Sequence, residues 1–215
     1  MIEKVRKAWP RTSYALTTAL LCGALVTTLQ GCVGMAIGTA VVGTLAATDR
    51  RTLGAQTEDQ EIIIKAESRI PQVVGGAGHV NINSFNRKVL ITGEVRDDAM
   101  KQAVEREVAA IDGAKTIVNE LEIGPIADFT SRSNDALITG KVKASFIDEK
   151  NLYATALKVT TERGAVYLMG RVTQREATLA TEIARGVNGV TKVVRVFELI
   201  SEDEYRQLTS APPTK

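Results

Sequence analysis

Side chains able to do chemistry are few in this 215-residue chain, and their settings limit what they can do. Cysteine occurs at Cys22 and Cys32, and histidine once, at His79. Cys32 closes the run Leu29-Gln30-Gly31-Cys32, a thiol directly behind a small residue. His79 stands at the start of an alternating strand with no nucleophile and orienting acid beside it, so it reads as structural rather than catalytic. Gly75-Gly76-Ala77-Gly78 precedes a strand, whereas a phosphate cradle opens a helix. Asp97-Asp98 fits a helix N-cap, and Asp148-Glu149, followed by Lys150, lacks the regular oxygen spacing of a calcium loop. Catalysis, a metal, a cofactor and a small-molecule substrate are therefore not expected.

What lies upstream of Cys32 explains the thiol better. A basic start (Lys4, Arg6, Lys7, Arg11) and an uncharged run from Ala15 to Val26 have the order of a secretory signal peptide. That run is about a dozen residues, short of the roughly 20 that span a bilayer. Leu29-Gln30-Gly31-Cys32 resembles a bacterial lipobox. The resemblance implies cleavage after residue 31 and acylation (palmitate among the chains) of Cys32. Four of the 27 basic side chains and one of the 25 acidic ones fall in residues 1–31, which leaves 23 against 24. A near-neutral remainder has no clustered excess of Lys and Arg, so nucleic acid is not an expected partner. With Cys22 discarded and Cys32 acylated, no thiol remains for a disulfide or a zinc site.

Residues 32–57 begin small and apolar and turn polar from Thr48. They read as a flexible tether that starts in the membrane interface and leaves it near Arg50-Arg51. Beyond it the chain repeats itself. Lys88-Val89-Leu90-Ile91-Thr92-Gly93-Glu94-Val95 aligns with Ala165-Val166-Tyr167-Leu168-Met169-Gly170-Arg171-Val172, and Asp112-Gly113 through Leu121 aligns with Asn188-Gly189 through Phe197. Two units are expected, over residues 58–125 and 126–201, followed by a polar, fraying tail over 202–215.

Both units give the same sequence of elements. A first helix carries Ile63, Ala66 and Ile70, or Ile138, Val142 and Phe146, on one face. A hairpin follows, turning at Asn86-Arg87 or Arg163-Gly164. Its second strand is apolar on both faces and meets Gly93 or Gly170, where a bulge or close backbone approach is expected. The second helix carries Met100, Val104, Val108 and Ile111, or Ala177, Ala180, Ala184 and Val187. Thr173 and Glu176 fit a capping box, and Gly113 or Gly189 is expected as C-cap. A last strand, 117–123 or 193–199, completes an α+β unit of order αββαβ, a three-stranded mixed sheet packed on two helices.

The hairpin ending in Val-x-Leu-x-Gly-x-Val, the Ala-rich helix and the Gly-Val-x-x-Val strand together resemble the BON domain. Two of them behind a lipobox resemble the dual-BON outer-membrane lipoproteins. Ser133-Asn134-Asp135, Ile138-Thr139, Lys141-Val142, Val159-Thr160-Thr161-Glu162 and Leu168-Met169-Gly170 are similar to their second domain. The resemblance implies a phospholipid-binding protein that faces the periplasm and supports envelope integrity. Val33 after the lipidated cysteine is not the aspartate of inner-membrane retention, so outer-membrane delivery is implied. The implied reader of anionic phospholipid is the first helix of the second domain, Asp135 to Ile147, through outward Leu137, Lys141, Lys143 and Ile147. Leu137 stands where a tryptophan is expected in close relatives. The alternative is a lipid-tethered adaptor whose exposed helix binds an envelope protein partner.

Overall fold

The computed structural model describes residues 49–210. Cys32 and the other lipobox residues lie outside them. The first unit opens with α1, Leu53–Val74, whose N-terminus is capped by the Thr52 hydroxyl accepting from the Ala55 N–H at 3.1 Å. Ala55, Ile62, Ala66, Ile70 and Val74 are buried at intervals of four or seven, one stripe of a 3.6-residue repeat. Ile62 is thus the buried isoleucine, and Ile63 packs only at the edge of the core. Strands β1, Gly78–Phe85, and β2, Lys88–Val95, form an antiparallel hairpin. Helix α2, Asp98–Ala109, starts from Asp97, which accepts from the Met100 N–H at 2.8 Å. Strand β3, Thr116–Asn119, and the two-residue β4, Glu122–Ile123, both run parallel to β2. The single strand expected over 117–123 is therefore interrupted at Glu120-Leu121, where Leu121 turns in to the core.

The second unit repeats this plan. Helix α3, Phe129–Asp148, is followed by a short 3₁₀ turn and the hairpin of β5, Leu157–Glu162, and β6, Ala165–Val172. Helix α4, Gln174–Gly186, begins in the expected capping box of Thr173 and Glu176. Strand β7, Lys192–Leu199, lies parallel to β6 over its full length. The C-caps differ from expectation. Ala110 and Val187 end the two helices, and Gly113 and Gly189 lie in the turns beyond. There their bare α-carbons face Ile62 and Ile138 of the first helices; a Cβ at Gly189 would crowd Ile138, whereas one at Gly113 would meet Ile62 at ordinary contact distance.

One carboxylate per unit ties the first helix to the hairpin. Asn86 and Arg87 both have positive φ, as do Arg163 and Gly164, the backbone of the tight primed turn that suits twisted strands. Asp59 accepts from the Asn86 and Arg87 N–H groups at 2.7 and 2.8 Å, and from the Ser84 hydroxyl at 2.6 Å. Asp135 accepts from the Arg163 and Gly164 N–H groups, both at 2.8 Å. Charge-assisted bonds of this kind are about twice as strong as neutral ones. They hold Arg87 and Arg163 in a left-handed conformation that non-glycine residues resist.

The helices cover one side of each sheet. Val89, Ile91 and Val95 of β2 point into the first core, and Val166, Leu168 and Val172 of β6 into the second. The alternate residues face the other way, because side chains along a strand alternate. Leu90 and Phe85 of the first unit meet Ala165, Tyr167, Met169 and Val196 of the second in a third apolar cluster, so the two sheets pack on each other. A polar rim surrounds it. Glu94 accepts from the Arg163 Nε at 2.8 Å, Glu198 from the Asn86 amide at 2.6 Å, and the Phe197 carbonyl from the Lys88 ammonium at 2.9 Å.

The chain enters this assembly through two adjacent arginines. Arg50 is 7% exposed and grips the Glu176 carboxylate with two bonds of 2.7 and 2.8 Å. Its guanidinium also lies over the rings of Tyr153 and Tyr205. Arg51 binds Asp49 and, at 2.8 Å, the turn-clamping Asp59, and it stacks over Phe85. These residues are folded against both domains rather than leaving a membrane interface, and residues 53–57 are helix rather than tether. The tail differs too, since α5, Glu202–Ser210, is helical and docks Glu204 on Arg171 at 2.6 Å.

Two predictions follow from this packing. A Cβ at Gly93, where φ is +113°, would collide with the His79 carbonyl across the hairpin, whereas one at exposed Gly140 in α3 meets nothing. Chemical denaturation is expected to show Gly93→Ala destabilised by about 2 kcal/mol or more and Gly140→Ala stabilised by roughly 0.5 to 1 kcal/mol. Burial by itself would raise the Glu176 carboxyl, but the Arg50 guanidinium and the Thr173 N–H outweigh it and hold it below the ordinary value of 4.5. A depressed carboxylate stabilises the fold above its unfolded-state value and loses that contribution as pH falls through its folded value. Arg50→Ala is therefore expected to cost about 3 kcal/mol at pH 7, with the gap to the parent chain closing in denaturation curves taken below about pH 4.5.

Candidate functional site: the outward face of the second domain's first helix

Helix α3 is longer than the sequence indicates, and its extension changes the face it offers. The expected start is Asp135, but Asp128 is the N-cap, accepting from the Ser131 N–H at 2.7 Å. An Asp three residues ahead of Ser131, with no proline between, was the available signal. Asp135 is instead buried mid-helix as the turn clamp. The inward stripe is as expected: Ile138, Val142 and Phe146 are all buried in the second core.

On the opposite side the structure brings the candidate residues together. Leu137 is 64% exposed and Ile147 73% exposed, and Lys141 and Lys143 are exposed beside them. Among the described residues neither lysine forms an ion pair with a carboxylate. The sequence reading missed Phe129, which is 78% exposed at the start of the helix. Phe129 and Ile147 are eighteen positions apart, which is five turns at 3.6 residues per turn, so they share one line along the helix about 27 Å in length. Leu137 sits about 80° round from that line. Lys143 lies on one flank and Lys141 on the other, so the ammonium groups border an apolar strip that also includes Gly140 and Ala144. Near its C-terminal end, Lys143, Phe146, Ile147, Ala154 and Leu157 line an apolar cleft of about 150 Å³.

The electrostatics of this face are simple. It offers cations and apolar area, with no acid between Asp135 and Asp148. Such a strip can bind a surface that is itself apolar beneath a layer of negative charge. The inter-domain contact leaves it uncovered, because the sheets meet on the side away from α3. No helix among the described residues is long and apolar enough to cross a membrane.

Comparison with known proteins agrees with this architecture. Residues 59–125 and 134–200 each match the model of the BON domain. Over 184 residues the chain is 35% identical to the outer membrane lipoprotein DolP of Haemophilus influenzae, covering 85% of this chain and 95% of that protein. It is 30% identical over 155 residues to the 21 kDa hemolysin of Actinobacillus pleuropneumoniae, 71% of this chain and 79% of that one. A single 61-residue stretch is 43% identical to osmotically-inducible protein Y of Escherichia coli, 30% of that protein's length. With both repeats matched and nearly the whole of a relative aligned, the chain belongs to the BON-domain family, as a dual-BON outer-membrane lipoprotein similar to DolP.

Proposed function

We propose that acyl groups on Cys32 hold this protein at the periplasmic face of the outer membrane, and that α3 binds anionic phospholipid there and so supports envelope integrity. The observation that carries the reading is the outward strip of α3, with Phe129, Leu137 and Ile147 exposed between two lysines that have no acidic partner among the described residues. Phe129 supplies the aromatic interfacial anchor that Leu137 cannot, since aromatic rings favour the boundary between headgroups and acyl chains. The lysine stems can lie along the apolar strip while their ammonium groups reach the phosphates.

The energies suit a reader rather than an anchor. Full burial of one such side chain is worth about 1.5 to 3 kcal/mol, and a lysine near an anionic leaflet adds about 1 kcal/mol. Partial burial of three side chains with two lysines gives a weak, reversible contact. Retention falls to the lipid on Cys32, at about 0.8 kcal/mol per buried CH₂. Seventeen residues, 32 to 48, lie between that sulfur's backbone and the folded part. Fully extended they reach about 60 Å, ample for α3 to lie flat on the same leaflet. Arg50 is bonded beside Tyr153, shortly after the end of α3, so the chain joins the folded part near the proposed contact.

Vesicle binding tests this reading. A chain beginning at Thr44, without the acylated cysteine, is expected to bind anionic vesicles measurably and zwitterionic vesicles far less, with affinity falling as salt rises. Leu137→Glu and Phe129→Glu are each expected to weaken that binding by about tenfold or more. Equal binding by both variants and the parent, or no binding to any lipid, would reject the reading in favour of a protein partner for the same face.

A further inference from the structure

The two sheets leave a groove of about 420 Å³ between their edge strands β1 and β5, lined among others by Asn81, Arg132, Thr161 and Glu162. At its inner end three side chains from both domains converge. His79 comes from β1, Glu94 from β2 and Glu162 from β5, and one donor atom from each lies within 4.8 Å of the other two. His79 Nδ1 and Glu94 Oε2 are 3.4 Å apart, and both are buried without a hydrogen-bond partner among the described residues. Glu94 is 1% exposed. The two atoms face each other, but neither has a hydrogen bond, and native interiors rarely leave buried polar atoms without one.

The remaining atoms are already occupied in a way that aims these. Glu94 uses Oε1 for the Arg163 guanidinium at 2.8 Å, and Glu162 uses Oε1 for the Asn81 amide and the Thr92 hydroxyl. Each carboxylate is thereby oriented from behind, with Oε2 left over. Outer hydrogen bonds of this sort fix metal-binding side chains in place. Metal–ligand bonds of roughly 2.0 to 2.2 Å in a tetrahedron separate neighbouring ligand atoms by roughly 3.3 to 3.6 Å, which the His79–Glu94 distance matches. Imidazole with two carboxylates suits zinc-class ions, whereas calcium and magnesium take oxygen alone.

We propose that His79, Glu94 and Glu162 form a binding site for a divalent transition cation of the zinc class, which ties the two BON domains together at the inner end of their groove. Two ligands belong to the first domain and one to the second, so occupancy joins them.

The test uses the full chain in detergent with Cys22→Ser and Cys32→Ser, so that no thiol takes up metal, stripped with chelator and titrated with Co²⁺ and then Zn²⁺. The expected result is one equivalent of Co²⁺ bound with a visible ligand-field band, displaced by Zn²⁺, and a Tm that rises with Zn²⁺. His79 is the chain's only histidine, so its ring resonances report directly on ligation. His79→Ala and Glu162→Gln are expected to weaken binding at least tenfold, and Glu61→Gln on exposed α1 to leave it unchanged. Glu162→Gln is also expected to be at least as stable as the parent in chelator while losing the Zn²⁺ response, which a purely structural carboxylate would not do. Absence of saturable uptake by the parent, His79 resonances unmoved by Zn²⁺, or unchanged affinity in both variants would overturn the proposal.

Discussion

A three-stranded sheet with helices on one side has a second side to hide, and here each sheet hides the other. Leu90 and Phe85 against Ala165, Tyr167, Met169 and Val196 make an apolar contact whose polar rim runs through Glu94, Arg163, Asn86 and Glu198. The rest of the architecture answers to that contact. It sets which strand edges border the groove, it brings buried carboxylates of two domains near one histidine, and it leaves the outer side of α3 as free surface. A duplicated small domain thereby acquires a core larger than either copy could build alone.

Within each copy a buried aspartate does the local organising. Asp59 and Asp135 occupy equivalent places on the first helices and accept the N–H groups of turns whose backbone is left-handed. Helix, turn and hairpin are fixed together by one carboxylate, which allows arginine at turn positions where glycine or asparagine would be usual. In the second unit that arginine, Arg163, then reaches across to Glu94. The turn clamp and the inter-domain rim are thus consecutive links of one network. Arg51 does the corresponding work in the first unit by binding Asp59, while its neighbour Arg50 binds the capping-box Glu176 of the second.

Much of this was legible in the sequence, and the failures have physical causes. The repeat, the element order, the capping box and the inward stripe of α3 follow from periodicity and local chemistry, and the structure has them. The close approach at Gly93 and Gly170 was read from glycine inside a strand, and the carbonyls of His79 and Ala156 do lie against them. Strand β2 being apolar on both faces was the trace of the second sheet, but a run of Val, Leu and Ile does not say what covers it. Arg50-Arg51 read as the point where a tether leaves the membrane interface, because the groups that hold them to the folded domains, Glu176 and Asp59, are 126 and 8 positions away. Phe129 falls ahead of the helix that the sequence implies, because Asp135 looks like its start and instead braces it from within. His79, Glu94 and Glu162 are scattered over two domains, and only the fold assembles them.

The proposed lipid contact of α3 and the proposed site joining the domains both depend on the sheets being held together in one fixed arrangement. Residual dipolar couplings, collected for backbone amides of both BON domains in a weakly aligning medium, test that dependence directly. A single alignment tensor that fits residues 59–125 and 134–200 together is the predicted result. Two tensors differing in magnitude or orientation would mean domains that move independently, and would contradict the account.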